Sequence, residues 1–406
     1  MNIAVIVSHF PALSESFVLN QITGMLDLGH NVEIFAMVNP KEPTHHGDVD
    51  KYNIMEKVNY FEIIPEGRIT AILKTLLLFV KYIPKCPIML IKSLLIFKKH
   101  KYGNLIGRYY FCLPFLGKQF DVVQCHFGPN GNIAAYLKHS GFNIKIVTMF
   151  HGYDIRLAKK QGKEIYNPLI KYGDCFLSIS SYNNKNMLDI GIDAEKIHYH
   201  PVGIDVKKYP FNIKTEPLLG KRKIIIITVA RLVEEKNLSD AIEAISKIVN
   251  KYRDVNIEYR IIGDGPLKNS LNDIVVRLGL INHVKFLGSM NQENVILNLL
   301  DSDIFLLSSV AEALPVVLME AQAVGLPVVT TDVGSISEIV LDKKSGFIVP
   351  ARDIEAMSNR ISYLIEHSEI WHEMGRAGRA NVESKYDINI LNKKLEKIYQ
   401  GLIRDS

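Results

Sequence analysis

The chain has 406 residues, 48% of them hydrophobic and 22% charged, with a net charge of +5, an ordinary globular composition long enough for two domains with separate cores. The four cysteines, Cys86, Cys112, Cys125 and Cys175, form no Cys-x-x-Cys pair, which argues against a zinc site or a disulfide framework and points to a reducing cytoplasm. No run reaches about 18 uninterrupted apolar residues, so no membrane-spanning helix is expected.

The amino end carries no basic leader and runs straight into an apolar strand, Ile3 to Val7. A helical pattern from Phe17 to Leu28, then Gly29, then a second apolar run from Val32 to Val38 complete a strand, helix, strand unit. Between the first strand and helix lies Ser14-Glu15-Ser16, where Ser14 or Ser16 either caps the helix or, with Glu15, serves a site at the strand mouth. From Gly67 through Phe120 there are ten Lys or Arg and no acidic residue, so the rest of the chain is net acidic. Within this stretch, residues 68–103 read as two amphipathic helices divided at Pro84 and Pro87, with Lys74, Lys81, Lys85, Lys92 and Lys99 near one face. Such a segment either docks on an anionic membrane surface or rims a core-facing helix pair. Nucleic acid is not expected, because no reader motif accompanies the charge.

Apolar runs at Val122 to Cys125, Ile144 to Phe150 and Cys175 to Ile179 alternate with helical segments, which predicts a parallel sheet covered by helices. Two of these runs deliver histidines to strand mouths, His126 in His-Phe-Gly-Pro and His151 in His-Gly-Tyr-Asp. Each reads either as a satisfied structural group or as a site residue. Pro201 to Arg222, rich in proline, glycine and charge, reads as the connection between domains.

The pattern begins again at Ile224 to Val229 and continues at Tyr259 to Ile262, Val284 to Leu287, Ile304 to Leu307, Pro327 to Thr330 and Gly346 to Val349. Arg231 and Lys236 follow the first of these runs, where an Arg fork and a Lys point charge suit a diphosphate. Gly263-Asp-Gly-Pro266 is turn chemistry that either lines a nucleotide or simply turns. Glu312 and Glu320 flank Pro315, which reads as the first residue of a helix. Glu320 then stands roughly 7 Å along the axis at about 1.5 Å per residue, so a diphosphate at the helix start leaves a ribose near it. Open α/β sheets bind ligands beyond the carboxyl ends of their strands, and two such sheets predict an interdomain cleft with His151 facing the cations and carboxylates. The first loop has no Gly-x-Gly-x-x-Gly, and neither a Walker lysine motif nor Gly-x-Ser-x-Gly occurs in the sequence, against a dinucleotide oxidoreductase, a P-loop nucleotidase and a serine hydrolase.

Taken together, Arg231 to Lys236, Gly263 to Pro266, Phe286-Leu-Gly288 and Glu312 with seven residues to Glu320 resemble the retaining glycosyltransferases of family 4, group 1, across nearly the whole chain. The amino half, through Phe10-Pro-Ala-Leu-Ser-Glu15-Ser-Phe, His126-Phe-Gly-Pro, Phe150-His-Gly-Tyr-Asp154 and Val202-Gly-Ile-Asp205, is similar to the colanic-acid-type exopolysaccharide branch. The resemblance implies an α/β GT-B fold of two Rossmann-like doubly wound domains facing a central cleft. The divisions are an acceptor domain over 1–205, a linker over 206–222, a donor domain over 223–385, and a carboxyl-terminal helix over 386–406 crossing back to the first domain.

By position, the resemblance further implies that Arg231 and Lys236, with backbone of Leu314, Pro315, Val316 and Val317, bind the donor diphosphate. Glu320 binds ribose, Glu312 contacts the sugar near its anomeric centre, and His151 contacts the sugar or helps the leaving group. Gly263, Phe286, Leu287 and Gly288 border the base, and Ser14, Glu15 and His126 lie on the acceptor side. No cofactor or metal is required, since the nucleotide sugar is a substrate. Ala313 and Gly334-Ser335 depart from the family's usual glycines. The expected enzyme is a hexosyltransferase using a UDP- or GDP-sugar and a glycan or polyprenyl-linked acceptor, on the inner face of the plasma membrane. Other readings are a non-catalytic membrane-associated scaffold and a sugar-nucleotide hydrolase or epimerase.

Overall fold

The computed structural model describes residues 1–12, 15–41, 45–62, 66–82, 110–212 and 223–404. They divide into two compact units, Met1–His200 with Asn392–Ser406, and Pro201–Leu391.

The first unit is built on a seven-stranded parallel sheet of β1 (Asn2–His9), β2 (Asn31–Val38), β3 (Val58–Tyr60), β4 (Val122–His126), β5 (Lys145–Phe150), β6 (Cys175–Ser178) and β7 (Ile197–Tyr199). Its order is β3-β2-β1-β4-β5-β6-β7. Ile3 to Val7 are buried on both sides of the pleat, as a parallel sheet covered by helices requires. One core gathers Phe35, Phe61, Phe115 and Phe120, with Phe35 and Phe115 stacked at 4.0 Å between ring centroids. The three-residue edge strands β3 and β7 have no counterpart in the sequence reading, because each is too short and too exposed to show a buried run.

The second unit repeats the plan with six parallel strands: β8 (Ile224–Val229), β9 (Ile257–Ile262), β10 (Val284–Gly288), β11 (Ile304–Leu307), β12 (Val328–Thr331) and β13 (Gly346–Val349). Their order is β10-β9-β8-β11-β12-β13. Strand order therefore reverses between β1 and β4 in one sheet and between β8 and β11 in the other, the positions where open sheets leave a crevice for ligands. The helix Leu238–Lys251 buries Leu238, Ala241, Ile242, Ile245 and Ile248 on one face, against a core that includes Trp371.

The boundary falls after His200 rather than after Asp205, because Ile204 and Val206 pack into the second unit: Ile204 bridges Asp387, and Arg379 donates to the Val206 carbonyl. The expected linker is structured at its start, where Val206–Lys208 form a 3-10 turn and Tyr209 is buried; 213–222 lie outside the described residues. The last helix, Ile388–Arg404, belongs to the second unit through Leu391 and to the first from Asn392 onward. In the first unit Tyr399 donates to Gln124 at 2.8 Å, and the Asn392 side chain fills the space beside Gly24, where any Cβ would lie 1.7 Å from its amide nitrogen.

The helix Arg68–Tyr82 is the first of the two expected in the basic segment. The second, with Lys85, Lys92 and Lys99, lies outside the described residues. Lys74 pairs with Glu62 at 2.8 Å, while Ile69, Ile72, Leu73, Leu76, Leu77 and Val80 are more than half exposed. Their spacing of three and four residues places them on one face.

Candidate active site

In the second unit, the loops after β8 and β11 meet. Glu234–Lys236 is a single 3-10 turn, ended by Asn237 in the left-handed region at φ 48°. It presents Lys236 to Glu312, and Nζ lies 2.6 Å from Oε1 of a carboxylate whose side chain is 8% exposed. Ser309 donates its hydroxyl to the same oxygen at 2.7 Å. The two loops are also tied by backbone, Val310 N–H to Glu235 O at 2.8 Å, and by the Ser308 hydroxyl, which donates to the Lys236 and Asn237 carbonyls. Arg231 is exposed at the carboxyl end of β8.

Three glycines hold this backbone by having no Cβ. A Cβ on Gly263, at φ 135°, would lie 1.9 Å from the Ala230 carbonyl, and one on Gly265 would lie 2.5 Å from that of Leu232. These positions support the turn that carries Arg231. Gly334, at φ 59°, receives the Glu312 carbonyl 1.8 Å from where a Cβ would stand. Phe286, expected beside a base, is half-buried at the end of β10 with its ring against the second core, and the Gly288 carbonyl accepts the Gly263 N–H at 2.8 Å.

The helix after Glu312 runs Val316–Val324, so Pro315 is its cap in extended conformation (ψ 107°) and not its first residue. Proline has no N–H, so the amides available at this end are those of Leu314, Val316 and Val317, since Leu318 N–H is taken by the Pro315 carbonyl. One turn farther, Glu320 accepts from the Tyr209 hydroxyl at 2.7 Å, and Gln292 donates to that hydroxyl at 2.9 Å. Burial pushes the Glu320 carboxyl up to about 7, against the Tyr209 hydrogen bond, which lowers it. Arg379 fixes Tyr209 from behind, donating to its carbonyl and to that of Ala323, both at 2.6 Å. Ser309 had a sequence signal, three residues before Glu312; Tyr209 and Gln292 had none.

In the first unit, His126 ends β4 and His151 follows β5. His126 is wholly buried, so it cannot reach an acceptor; its Nδ1 lies 3.1 Å from His151 Nε2. The carboxylate of Asp154 accepts the backbone N–H of both Gly128 (2.5 Å) and His151 (2.6 Å), joining the two strand mouths. Phe17 and Phe127 each place a ring 4.6 Å from that of His151. Burial, reinforced by His200, drives His126 down to about 3; burial, reinforced by His126, holds His151 well below its ordinary value. Both imidazoles are therefore neutral near pH 7. Ser14 lies outside the described residues; Ser16 begins the helix Ser16–Asp27 rather than capping it, and Glu15 holds the cap position without a side-chain capping bond.

Residues 211–381 match the family model described as glycosyl transferases group 1, and residues 14–208 match glycosyltransferase family 4. A putative colanic acid biosynthesis glycosyltransferase, WcaL, of Salmonella typhimurium is 33% identical over 99% of this chain and 100% of its own length. Amylovoran biosynthesis glycosyltransferase AmsK of Erwinia amylovora is 32% identical over the same shares. Among solved structures, Anabaena Alr3699/HepE in complex with UDP-glucose superposes with a TM-score of 0.74 at 15% identity, covering 99% of this chain and all of its own. That likeness concerns the fold.

Proposed function

The chain belongs to the group 1, family 4 glycosyltransferases of GT-B architecture, and from that premise we propose that it moves a hexose from a nucleotide-sugar donor to a glycan or polyprenyl-linked acceptor during exopolysaccharide synthesis. The observation that carries the donor reading is the Lys236–Glu312 pair, set beside the amino end of Val316–Val324 with Glu320 farther along the same helix. A cation, free amides and a helix start suit a diphosphate; a carboxylate beyond them suits ribose hydroxyls. The likeness to AmsK and WcaL, named for exopolysaccharide synthesis, supports the pathway, and HepE with UDP-glucose supports a UDP-sugar.

In this reading, Arg231, Lys236 and the amides of Leu314, Val316 and Val317 stabilise the charge that grows on the nucleoside diphosphate as the glycosidic bond breaks. Glu312 holds the sugar near its anomeric centre and His151 contacts sugar or leaving group. The acceptor hydroxyl attacks from the face the diphosphate leaves, gives its proton to a departing phosphate oxygen, and so retains the anomeric configuration. The exposed apolar face of Arg68–Tyr82 lies on an anionic membrane surface, which presents a lipid-linked acceptor at the inner face of the plasma membrane.

Turnover of UDP-, GDP- and ADP-sugars with lipid-extract acceptors, followed by NMR of the new linkage, tests this. We expect a product with the donor's anomeric configuration, abolished by Glu312→Ala with nucleoside diphosphate binding kept. An inverted linkage, or undiminished turnover in that variant, would reject the assignment.

A further inference from the structure

His126 has no contact with solvent, yet it ends in a hydrogen bond to the histidine read here as touching the donor. Each neutral imidazole carries one N–H, so the bond can be made in two ways with opposite consequences. If His151 Nε2 donates, the proton of His126 sits on its own Nε2, which is buried and has no hydrogen-bond partner among the described residues. If His126 Nδ1 donates, that buried Nε2 is a lone pair instead. Orphaned buried N–H groups are the rarer and costlier kind.

We infer that His126 is a positioning residue that donates from Nδ1 to His151 Nε2 and thereby fixes the proton of His151 on its Nδ1, leaving an N–H donor for the substrate. This rests on the reading of His151 as a donor-contacting side chain. The surroundings hold the ring for that purpose. Phe17 and Phe127 flank it, tilted by 35° and 48°. Phe127 does so from φ 72°, a conformation costly for any residue with a side chain. The Asp154 carboxylate fixes the backbone of His151, and Asn130 donates to the His126 carbonyl at 2.6 Å. A neutral N–H donor suits an oxygen, whether a sugar hydroxyl or a phosphate oxygen gaining charge, and carries no proton of its own into the reaction.

The test is nitrogen NMR of the full chain labelled with ¹⁵N-histidine, the His151 signals being assigned by their loss in His151→Asn. We expect Nδ1 of His151 protonated and Nε2 not; the reverse pattern overturns the inference whatever the variants do. Kinetics use the sugar nucleotide turned over fastest in the donor screen. His126→Phe keeps the volume and removes the donor, and should lower kcat by at least tenfold with KM changed less than threefold. His126→Asn restores an N–H near the Nδ1 position and should recover most of that loss. Equal losses in both folded variants would mean that His126 serves packing alone. Should His151→Ala keep full turnover, the role of His151 fails separately, while the NMR still decides which atom carries the proton.

Discussion

Glu320 is a carboxylate that burial has brought to the edge of neutrality, with a value of about 7. A ribose hydroxyl donates more strongly to the ionised form than to the acid, and bonds to charged acceptors exceed neutral ones by about 1 kcal/mol or more. Nucleoside diphosphate affinity should therefore gain about fivefold from Glu320 between pH 6 and pH 8, beyond the change due to ionisation of the phosphate itself, and Glu320→Gln should remove that gain. Calorimetry with UDP and GDP at both pH values checks it; the same gain in the variant would take Glu320 away from the ribose. Glu320, Glu312, Arg231 and Lys236 were legible in the sequence because their signal is local: short spacings after an apolar run. Tyr209, 111 residues from Glu320 along the chain, was not, because its contact exists only once the chain is folded. His126 was legible as a strand-mouth residue, but its direction, inward to His151, was not.

At the scale of elements, the buried strands announced themselves because a parallel strand covered on both faces needs an uninterrupted apolar run. The exposed edges β3 and β7 need none and left no trace. The helix Arg68–Tyr82 was expected to dock on a membrane by partial burial together with its lysines; Lys74 is paired with Glu62, and the apolar face is more than half exposed. Leu76→Glu with Leu77→Glu should therefore weaken binding to phosphatidylglycerol vesicles by roughly a hundredfold, since burying two leucines is worth about 3 kcal/mol or more. Co-sedimentation gives the answer, and unchanged binding by the double variant would clear this helix of any part in docking.

The whole molecule should come apart unevenly in acid. His126 and His200 are held by burial near 3 and 4, below the ordinary 6.5, so the unfolded chain takes up their protons first. Their contribution to stability is complete above pH 6.5 and is lost by about 1.4 kcal/mol per pH unit for each as pH falls from there, to about 3 for His126 and about 4 for His200. Asp154, raised by burial to about 6, acts oppositely between pH 6 and 3.8 and offsets one of them. In the second unit Glu320 binds its proton more readily folded than unfolded, so it adds stability as pH falls from about 7 to 4.5. Glu258 there, buried but held near 2 by hydrogen bonds from Lys223, Lys285 and Arg260, matters only below 4.5. The single tryptophan, Trp371, is buried in the second unit's core. Between pH 6.5 and 4.5, loss of circular dichroism should thus precede loss of the native tryptophan signal; coincident transitions would contradict this. Two repeated series of apolar runs made the two-sheet plan readable from sequence, whereas this difference in acid resistance depends on burial that no local pattern records.

The division of the first unit also sets an order of assembly. Its sheet is translated first, but Asn392 beside Gly24 and Tyr399 on Gln124 come from residues made after the entire second unit. At about 5–20 residues per second on the ribosome, the earlier-born half waits some tens of seconds for the piece that closes it. A chain released just after Leu391 would carry a finished second unit and a first unit still lacking the residues that meet Gly24 and Gln124, an incomplete fold of the kind that chaperones and proteases recognise.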